Sequence, residues 1–152
     1  MANELQAAIM EDARKVYSEK VIERWLNPRN LGKIRNPDGF AKIKGPCGDT
    51  MQMSFRVRDG KLSKIKFITD GCASSLAAGS MATELAQGRK IEEAAKISQE
   101  MILDALDGLP KESVHCGLLA SNTLKEAIKN YLDSKQNDSF KQQDENGNAR
   151  GG

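Results

Sequence analysis

Two segments of alternating polar and apolar residues flank the dipeptide Asp59-Gly60, and no other feature of the sequence limits the fold as strongly. Apolar side chains occupy alternate positions in residues 50–58, and residues 61–69 repeat the pattern. A period of two is typical of a strand with one buried face, and Asp-Gly favours a tight two-residue turn. Residues 40–45 add a short strand candidate before this hairpin. The sequence therefore predicts a small antiparallel meander of about three strands.

The pattern changes to helical spacing after Gly71. The small-residue run 72–87 predicts one helix, and residues 91–106 predict a second helix with a broad apolar face. A third helix is expected to begin after Cys116. Helices therefore make up most of the chain that follows the meander.

The two ends of the chain differ from its middle. Residues 3–26 predict one or two amphipathic helical pieces, and residues 134–152 hold only two apolar side chains, which predicts a disordered polar tail. A length of 152 residues suits a single domain with one core.

Charge and composition exclude several classes of function. The net charge is +2 and aromatic residues make up 5%, so neither nucleic-acid binding nor membrane attraction is expected. The first 25 residues are rich in charge and contain no apolar signal segment. We therefore expect a cytoplasmic protein whose three cysteines do not form a disulfide framework.

Three cysteines and one histidine carry the chemistry of this chain. Cys47 lies between two predicted strands, Cys72 lies where a strand meets a helix, and His115-Cys116 come at the start of the last helix. We expect all three thiols at the ends of elements, and two of them at positions where a helix dipole lowers the pKa of a thiol. Any one of them could be a small buried hydrophobe, but their shared placement favours a metal or sulfur site.

The spacing of the cysteines limits the kind of site. No Cys-x-x-Cys pair occurs, which disfavours ferredoxin-like clusters, zinc ribbons and thioredoxin-type redox pairs. Successive cysteines are 25 and 44 residues apart, so ligands must converge from three elements. Three thiolates with a nitrogen or a carboxylate oxygen suit either tetrahedral zinc or one iron–sulfur unit, and spacing leaves both open.

Six short motifs follow one another between residues 17 and 132. They are Tyr17-Ser18-Glu19-Lys20-Val21-Ile22, Asn27-Pro28-Arg29-Asn30-Leu31-Gly32, Cys47-Gly48-Asp49, Gly71-Cys72-Ala73-Ser74-Ser75, Met81-Ala82-Thr83-Glu84-Leu85, and Leu109-Pro110 with His115-Cys116. In this order they resemble the iron–sulfur cluster assembly scaffolds of the IscU and NifU N-terminal type.

The resemblance implies an α/β (α+β) fold in which a small three-stranded antiparallel sheet packs against helices. It implies that Cys47, Cys72 and Cys116 bind a nascent [2Fe-2S] cluster, with Asp49 and His115 as neighbouring ligands or ligand exchangers. Which of these last two is the fourth ligand stays open. It also divides the chain into a helical extension (residues 1–16), a scaffold domain (17–133) and the polar tail (134–152).

The same resemblance implies a scaffold and cluster carrier, not an enzyme. Sulfur would come from a cysteine desulfurase of the IscS or NifS type, electrons from an external donor, and the cluster would pass to recipient apo-proteins. We assign the first acceptance of persulfide sulfur to Cys116. Iron would bind at the same residues, with zinc as a further occupant of the cluster-free form, and the cluster could lie within one chain or be shared across a homodimer.

The sequence departs from the family pattern at residues 109–113. The family's chaperone-recognition stretch is Leu-Pro-Pro-Val-Lys, whereas this chain has Leu-Pro-Lys-Glu-Ser. Recognition by an Hsp70-type chaperone is therefore not carried over, and Ser113 stands where relatives have a lysine near the metal. A long insertion between the second and third cysteines, typical of the zinc-dependent sulfur-acceptor branch, is absent, which favours the scaffold.

Other functions remain as alternatives to the scaffold. One is a zinc-bound sulfur acceptor that uses the same groups, and another is a non-catalytic interaction domain whose cysteines are structural. A cysteine hydrolase is disfavoured because the adjacent side chains of His115 and Cys116 are expected to point in different directions.

Overall fold

The computed structural model describes the backbone of residues 2–46 and 48–151, and the side chains of residues 5, 7–46 and 48–136. In chain order the elements are α1 (Ala2–Val16), α2 (Glu19–Leu26), β1 (Gly39–Lys44), β2 (Thr50–Arg58), β3 (Lys61–Thr69), α3 (Ala73–Ala86), α4 (Ile91–Ala94), α5 (Gln99–Ala105), a short 3-10 turn (Lys111–Ser113) and α6 (His115–Gly151).

The three strands form one antiparallel sheet in the order β1-β2-β3. Asp59 and Gly60 connect β2 to β3, and their φ angles of 55° and 75° lie in the left-handed region that a tight hairpin turn requires. The predicted three-stranded meander is confirmed.

One face of the sheet packs against α3 and α6. The buried side chains of this inner face are Ala41, Met51, Met53, Phe55, Ile65 and Phe67. The small residues of α3 allow a close approach to the sheet, because a Cβ atom at Gly79 would lie 2.4 Å from the ring of Phe67. The helix backbone therefore lies directly on that ring, and the predicted arrangement of a sheet packed against helices is confirmed.

The chain before β1 crosses the opposite, outer face of the sheet. Residues 30–32 run beside β3, where the N–H of Gly32 donates to the carbonyl of Phe67 at 2.8 Å. The N–H of Ile34 then donates to the Ser54 hydroxyl at 3.0 Å. Ser54 is buried under this crossing segment, whereas the outer face remains exposed on both sides of it.

The predicted single helix over residues 91–106 is wrong. The structure has two short helices there, α4 and α5, separated by residues 95–98. Ser98 begins the second helix, since its hydroxyl accepts a hydrogen bond from the N–H of Met101 at 3.2 Å. A serine that caps a helix N-terminus in this way cannot also continue the preceding helix, because its own backbone is extended.

The two ends of the chain are helical. Residues 2–26 form two helices, as expected, and Ser18 caps the second by accepting from the N–H of Val21 at 3.1 Å. The backbone of α6 is helical to Gly151, although the sequence predicts a disordered tail from residue 134. No proline interrupts residues 134–151, so a helix that starts upstream meets no strict terminator. The division of the chain at residues 16 and 133 stays a prediction.

No helix in the described part of the chain is both long enough and apolar enough to cross a lipid bilayer.

Candidate metal and sulfur site

Three elements meet at the edge of the sheet where β2 begins and β3 ends. Asp49 immediately precedes β2, Cys72 is the N-cap residue of α3, and Cys116 lies in the first turn of α6. One carboxylate oxygen and the two sulfur atoms all lie within 4.8 Å of one another, a grouping that can hold a metal ion. Cys72 is exposed, Asp49 is half-buried and Cys116 is 1% exposed, so the group opens to solvent on the side of Cys72.

Hydrogen bonds fasten the two strand ends that carry the site. The N–H of Thr50 donates to a carboxylate oxygen of Asp70 at 2.7 Å, and the Thr69 hydroxyl donates to the carbonyl of Thr50 at 2.6 Å. The bond from Thr50 lowers the pKa of Asp70, which keeps this carboxylate ionised as an acceptor. Asp70 therefore fixes the position of residue 49 relative to residues 71 and 72.

Ser75 is a residue of the site that the sequence reasoning missed. Its buried hydroxyl donates to a carboxylate oxygen of Asp49 at 3.2 Å and lies 3.4 Å from the sulfur of Cys116. Ser75 also lies three residues after Cys72 on α3, so the two side chains share a helix face. That spacing within residues 71–75 is the signal that could have identified it.

Gly71 is required by close approach of the same groups. A Cβ atom at this position would lie 2.4 Å from the Ser75 hydroxyl oxygen and 2.8 Å from a carboxylate oxygen of Asp49. Both distances are shorter than real Cβ contacts, so any larger residue would displace at least one of the two side chains. The glycine is thus explained by packing inside the site.

The expected low pKa of Cys116 is wrong. The pKa of the Cys116 thiol is raised to about 11, chiefly by burial and to a smaller extent by the nearby Cys72 and Asp49, while the hydrogen bond with Ser75 opposes the shift. The thiol belongs to the hydrophobic core, although it lies at a helix start where an anion would be favoured. Desolvation outweighs the helix dipole because the sulfur is almost completely shielded from water.

His115 lies beside the three-residue group and not within it. Its Nε2 atom is 3.8 Å from the Cys116 sulfur, and the ring is partly exposed. The expectation that these adjacent side chains diverge is wrong, because the first turn of α6 brings them into contact. The distance still exceeds the roughly 2.6–3.2 Å of a nucleophile and its base, so a hydrolase pair is not supported.

Cys47 lies outside the described residues, and its assignment as a ligand stays a prediction. The residues around it form a short closed loop, in which the N–H of Gly45 donates to the carbonyl of Asp49 at 2.6 Å. The structure therefore brings together three of the five predicted site residues, with His115 in contact with one of them.

Comparisons with known proteins show the family and the fold of this chain. The family model described as "NifU-like N terminal domain" matches residues 16–138. The chain is 47% identical over 118 residues to the iron–sulfur cluster assembly scaffold protein IscU 1 of Archaeoglobus fulgidus, which covers 77% of each protein. It is 40% identical over 124 residues to IscU of Azotobacter vinelandii, covering 78% of this chain and 96% of that relative.

A solved structure extends the likeness to three dimensions. The crystal structure of a NifU-like N-terminal protein from Brucella abortus aligns with a TM-score of 0.62, covering 78% of this chain and 95% of that one. The sequence identity is 19%, so this likeness concerns the fold.

Proposed function

Because the chain belongs to the family of NifU-like N-terminal domains, as its motifs predict, we propose that it is a scaffold for iron–sulfur cluster assembly. A cluster is built on it from iron and sulfur and is then transferred to recipient proteins. The relatives named above are themselves described as assembly scaffold proteins. The cluster is cargo in this function, and the chain is a carrier rather than an enzyme.

The observation that carries the proposal is the convergence of two thiols and a carboxylate from three elements. Asp49, Cys72 and Cys116 are separated by 23 and 44 residues in the sequence, yet their ligand atoms lie within 4.8 Å of one another. Thiolates are the usual protein ligands of iron–sulfur units, and a carboxylate oxygen is a poorer partner for them. This donor set suits cargo that must be bound and later released.

We propose a [2Fe-2S] unit as the cargo, with Cys47 as a third thiolate. His115 and Asp49 are the two candidates for the remaining position. The contact between His115 and Cys116 supports an exchange of ligands, because the 3.8 Å between Nε2 and the sulfur is short enough for both atoms to bind one ion. Zinc bound by the same residues is the proposed occupant when no cluster is present.

We propose that a cysteine desulfurase delivers sulfur by thiol exchange. A scaffold thiolate attacks the outer sulfur of the desulfurase persulfide, the S–S bond breaks, and the desulfurase cysteine leaves as a thiolate. Two sulfane atoms need four electrons to become two sulfides. Oxidation of two ferrous ions to ferric ions supplies two of these electrons, and an external electron donor supplies the other two.

The thiol that first accepts sulfur must be reachable by the persulfide donor. The assignment to Cys116 stays a prediction, but it must now account for a thiol that is buried and whose pKa is about 11. Of the two described thiols, Cys72 is exposed at the mouth of the site and is the one that a bulky persulfide donor reaches more easily. We therefore propose that sulfur enters by Cys72 and that Cys116 becomes a thiolate when iron is bound beside it.

The remaining expectations belong to the same proposal. A desulfurase, an electron donor and recipient apo-proteins are its partners, and the cytoplasm is its expected location. An Hsp70-type chaperone is not included, since Lys111-Glu112-Ser113 replaces the rest of the recognition stretch. A homodimer that shares the cluster is one form the scaffold could take.

The test is anaerobic reconstitution of the full chain with ferrous iron, a desulfurase, cysteine and a reductant. We expect visible charge-transfer absorbance with equal amounts of iron and acid-labile sulfide, and we expect its loss in Cys47→Ser, Cys72→Ser and Cys116→Ser. Asn122→Ser, on an exposed position of α6, is the matched control that should reconstitute normally.

Two other results would contradict the scaffold. Protein that takes up no iron and sulfide, but whose sulfur-accepting activity requires stoichiometric zinc, would support the zinc-bound sulfur acceptor. Protein that binds neither metal, and whose partner binding survives replacement of all three cysteines, would support an interaction domain with structural thiols.

A further inference from the structure

The charges of this chain are unevenly distributed along the sequence. Residues 29–70 contain ten Lys and Arg and four Asp, a net charge of +6, whereas the rest of the chain has a net charge of −4. The overall value of +2 hides this asymmetry. The basic segment consists of the three strands and the segment that crosses the sheet.

The fold gathers these cations on the outer face of the sheet. Side chains alternate along each strand, so the residues between the buried ones point away from α3 and α6. The cations there, together with two in the crossing segment, form what we call the basic face: Lys33, Arg35, Lys42, Lys44, Arg56, Arg58, Lys61, Lys64 and Lys66. All of them are exposed except Lys66, which is half-buried.

Strand register places several of these cations directly opposite one another. Arg56 pairs with Lys64, and Arg58 pairs with Lys61, across β2 and β3. Like charges in opposite positions of an antiparallel pair destabilise the sheet. These like-charge pairs lower the stability of the sheet, so stability does not explain why the cations are there.

Few described acidic side chains lie near the basic face: Asp59 is exposed in the turn between β2 and β3, and Asp70 lies close enough to Lys42 for that lysine to help lower its pKa. The ion pairs among the described residues join α1, α2, α3 and the segments next to them, and none includes a member of this face. Two acids near the sheet accept hydrogen bonds from backbone N–H groups instead: Asp38 from Val57 and Asp70 from Thr50. A third, Asp49, belongs to the metal and sulfur site. The positive charge is thus available to a partner.

We propose that the basic face binds an acidic surface of a partner protein. Phe40 lies among the cations and is 39% exposed, and half-buried Ile68 pairs with Gln52, whose other neighbour is Lys42, so the face mixes apolar and cationic side chains. Arginine and aromatic residues in a flat patch are typical of protein interfaces. Single-stranded nucleic acid is instead held in grooves lined by several stacking aromatics, and one phenylalanine does not supply these.

The basic face lies next to the metal and sulfur site, so a partner protein bound to the face would be held beside that site. Lys44 pairs with Thr50, the residue that follows Asp49, so the basic face ends at the edge of the site. A partner seated there would lie beside the exposed mouth without displacing α3 or α6. The docking itself does not depend on cluster chemistry and can be tested on the metal-free chain.

The experiment maps binding on the ¹⁵N-labelled full chain by NMR, with a 20-residue poly-L-glutamate peptide as the acidic probe and a 20-nucleotide oligothymidine as the competitor class. We expect the peptide to shift amide signals of β1, β2, β3 and residues 33–35, with weaker binding as salt increases. The triple variant Lys42→Glu, Lys61→Glu and Lys64→Glu should lose about tenfold in affinity at low salt.

The matched control changes the same number of charges elsewhere. Lys96 is exposed in the turn between α4 and α5, and Lys125 and Lys129 are exposed on α6; the triple variant Lys96→Glu, Lys125→Glu and Lys129→Glu should lose no more than about threefold, through net charge alone. An equal loss in both variants, peptide shifts spread over the helices, or oligothymidine binding as tight as peptide binding would each overturn the proposal. If the first variant fails to fold, the shift map of the unaltered chain decides.

Discussion

Single side chains that are not ligands control the geometry of the metal and sulfur site. Ser75 connects a carboxylate on one element to a thiol on another, and Asp70 fixes the strand ends from which the carboxylate comes. The ligands themselves differ in access, because Cys72 is exposed and Cys116 is buried. These differences lead to three expectations for individual residues.

Replacing Ser75 should weaken the site more than the fold. Ser75→Ala removes both polar contacts and should cost about 1–2 kcal/mol of unfolding free energy. Ser121→Ala is the control, because Ser121 is also buried and donates to the carbonyl of Ile97 at 2.9 Å, away from the site. We expect similar losses of stability, measured by denaturant unfolding, but weaker Co²⁺ binding only in Ser75→Ala. Equal Co²⁺ titrations in the two variants would contradict a positioning role.

The two described thiols should react at very different rates in reduced, metal-free protein. With a pKa of about 11, only about 0.1% of Cys116 is thiolate at pH 8, and the sulfur is buried as well. We expect iodoacetamide to modify Cys72 at least about tenfold faster, measured by peptide mass spectrometry. The rate at Cys116 should rise with pH until about pH 11, because a raised pKa delays ionisation. In denaturant the two modification rates should converge. Modification of Cys116 as fast as that of Cys72 in the native protein would contradict this expectation.

The carboxylate of Asp49 should make bound cargo labile. A hard oxygen ligand holds an iron–sulfur unit less firmly than a thiolate, so Asp49→Ala should lengthen the lifetime of a reconstituted cluster. The measurement is the decay of visible absorbance in the presence of a chelator. Asp104→Ala, an exposed position on α5, is the control and should decay like the parent. Parent-like decay of Asp49→Ala would show that this ligand has another role.

At the scale of elements, the start of α3 is the most constrained part of the molecule. Gly71, Cys72 and Ser75 occupy the end of the β3 connection and the first turn of this helix, and α6 starts beside them. Neither helix can shift along its axis without moving a ligand. The site is therefore sensitive to small changes in the backbone between β3 and α3.

The substitution Gly71→Ala tests this constraint. The new methyl group would meet Ser75 at 2.4 Å and the ligand Asp49 at 2.8 Å, so at least one of these two side chains must move and the contact between them is disturbed. We expect Co²⁺ or Fe²⁺ affinity to fall about tenfold or more, equivalent to about 1.4 kcal/mol of binding free energy. Gly117→Ala is the control, since its methyl group meets only side chains of Leu103 and Gln99, at 3.4–3.5 Å. Unchanged affinity in Gly71→Ala, by competition titration, would contradict the packing argument.

Local signals explain which elements could be predicted from the sequence. The alternation in residues 50–58 and 61–69, with Asp59-Gly60 between them, specifies strand bounds that agree with β2 and β3. The break at Ser98 was missed because the apolar pattern of residues 91–106 continues through it, while the cap is a single polar contact. The spacing of apolar residues does not reveal whether a serine within the pattern continues one helix or caps the start of the next.

Three ligands of the candidate site could be predicted from the sequence, but neither the burial of Cys116, which raises its pKa, nor the contacts of Ser75 could be. The resemblance to scaffold proteins indicates Asp49, Cys72 and Cys116, and the structure brings them together. The burial of Cys116 depends on how α6 packs against α3 and the sheet, and no local pattern encodes that orientation. The contact of Ser75 with two other elements was hidden for the same reason.

At the scale of the whole molecule, the core belongs to the sheet and the helices that follow it. Among the described side chains, the buried apolar ones lie between residues 21 and 128, and those described in α1 (residue 5 and residues 7–16) include none of them. The described contacts of α1 include an exposed ion pair between Arg14 and Glu19. The division of the chain at residue 16 stays a prediction, and removal of α1 tests it.

A shortened chain of residues 17–133 should therefore fold and bind metal like the full chain. Removing α1 exposes little of the core, and exposed ion pairs contribute about 0–1 kcal/mol, so we expect a thermal midpoint within a few degrees of the parent. The measurement is circular dichroism melting combined with Co²⁺ titration. A chain of residues 30–133, which lacks α2 and the buried Val21 and Ile22, is the control and should be unstable. A large loss for 17–133 would place one of the domain boundaries elsewhere.

The origin of the ligands on three separate elements has a mechanical consequence. The three ligands that the structure describes come from separate stretches of chain, so binding of an ion between them depends on the distance between α3, α6 and the loop that carries Asp49. Moving α6 away from α3 by a few Å would separate the ligand atoms while leaving every helix and strand intact. Release of a bound ion would then need only a relative movement of these elements, and the same ligand atoms would meet again when the elements return.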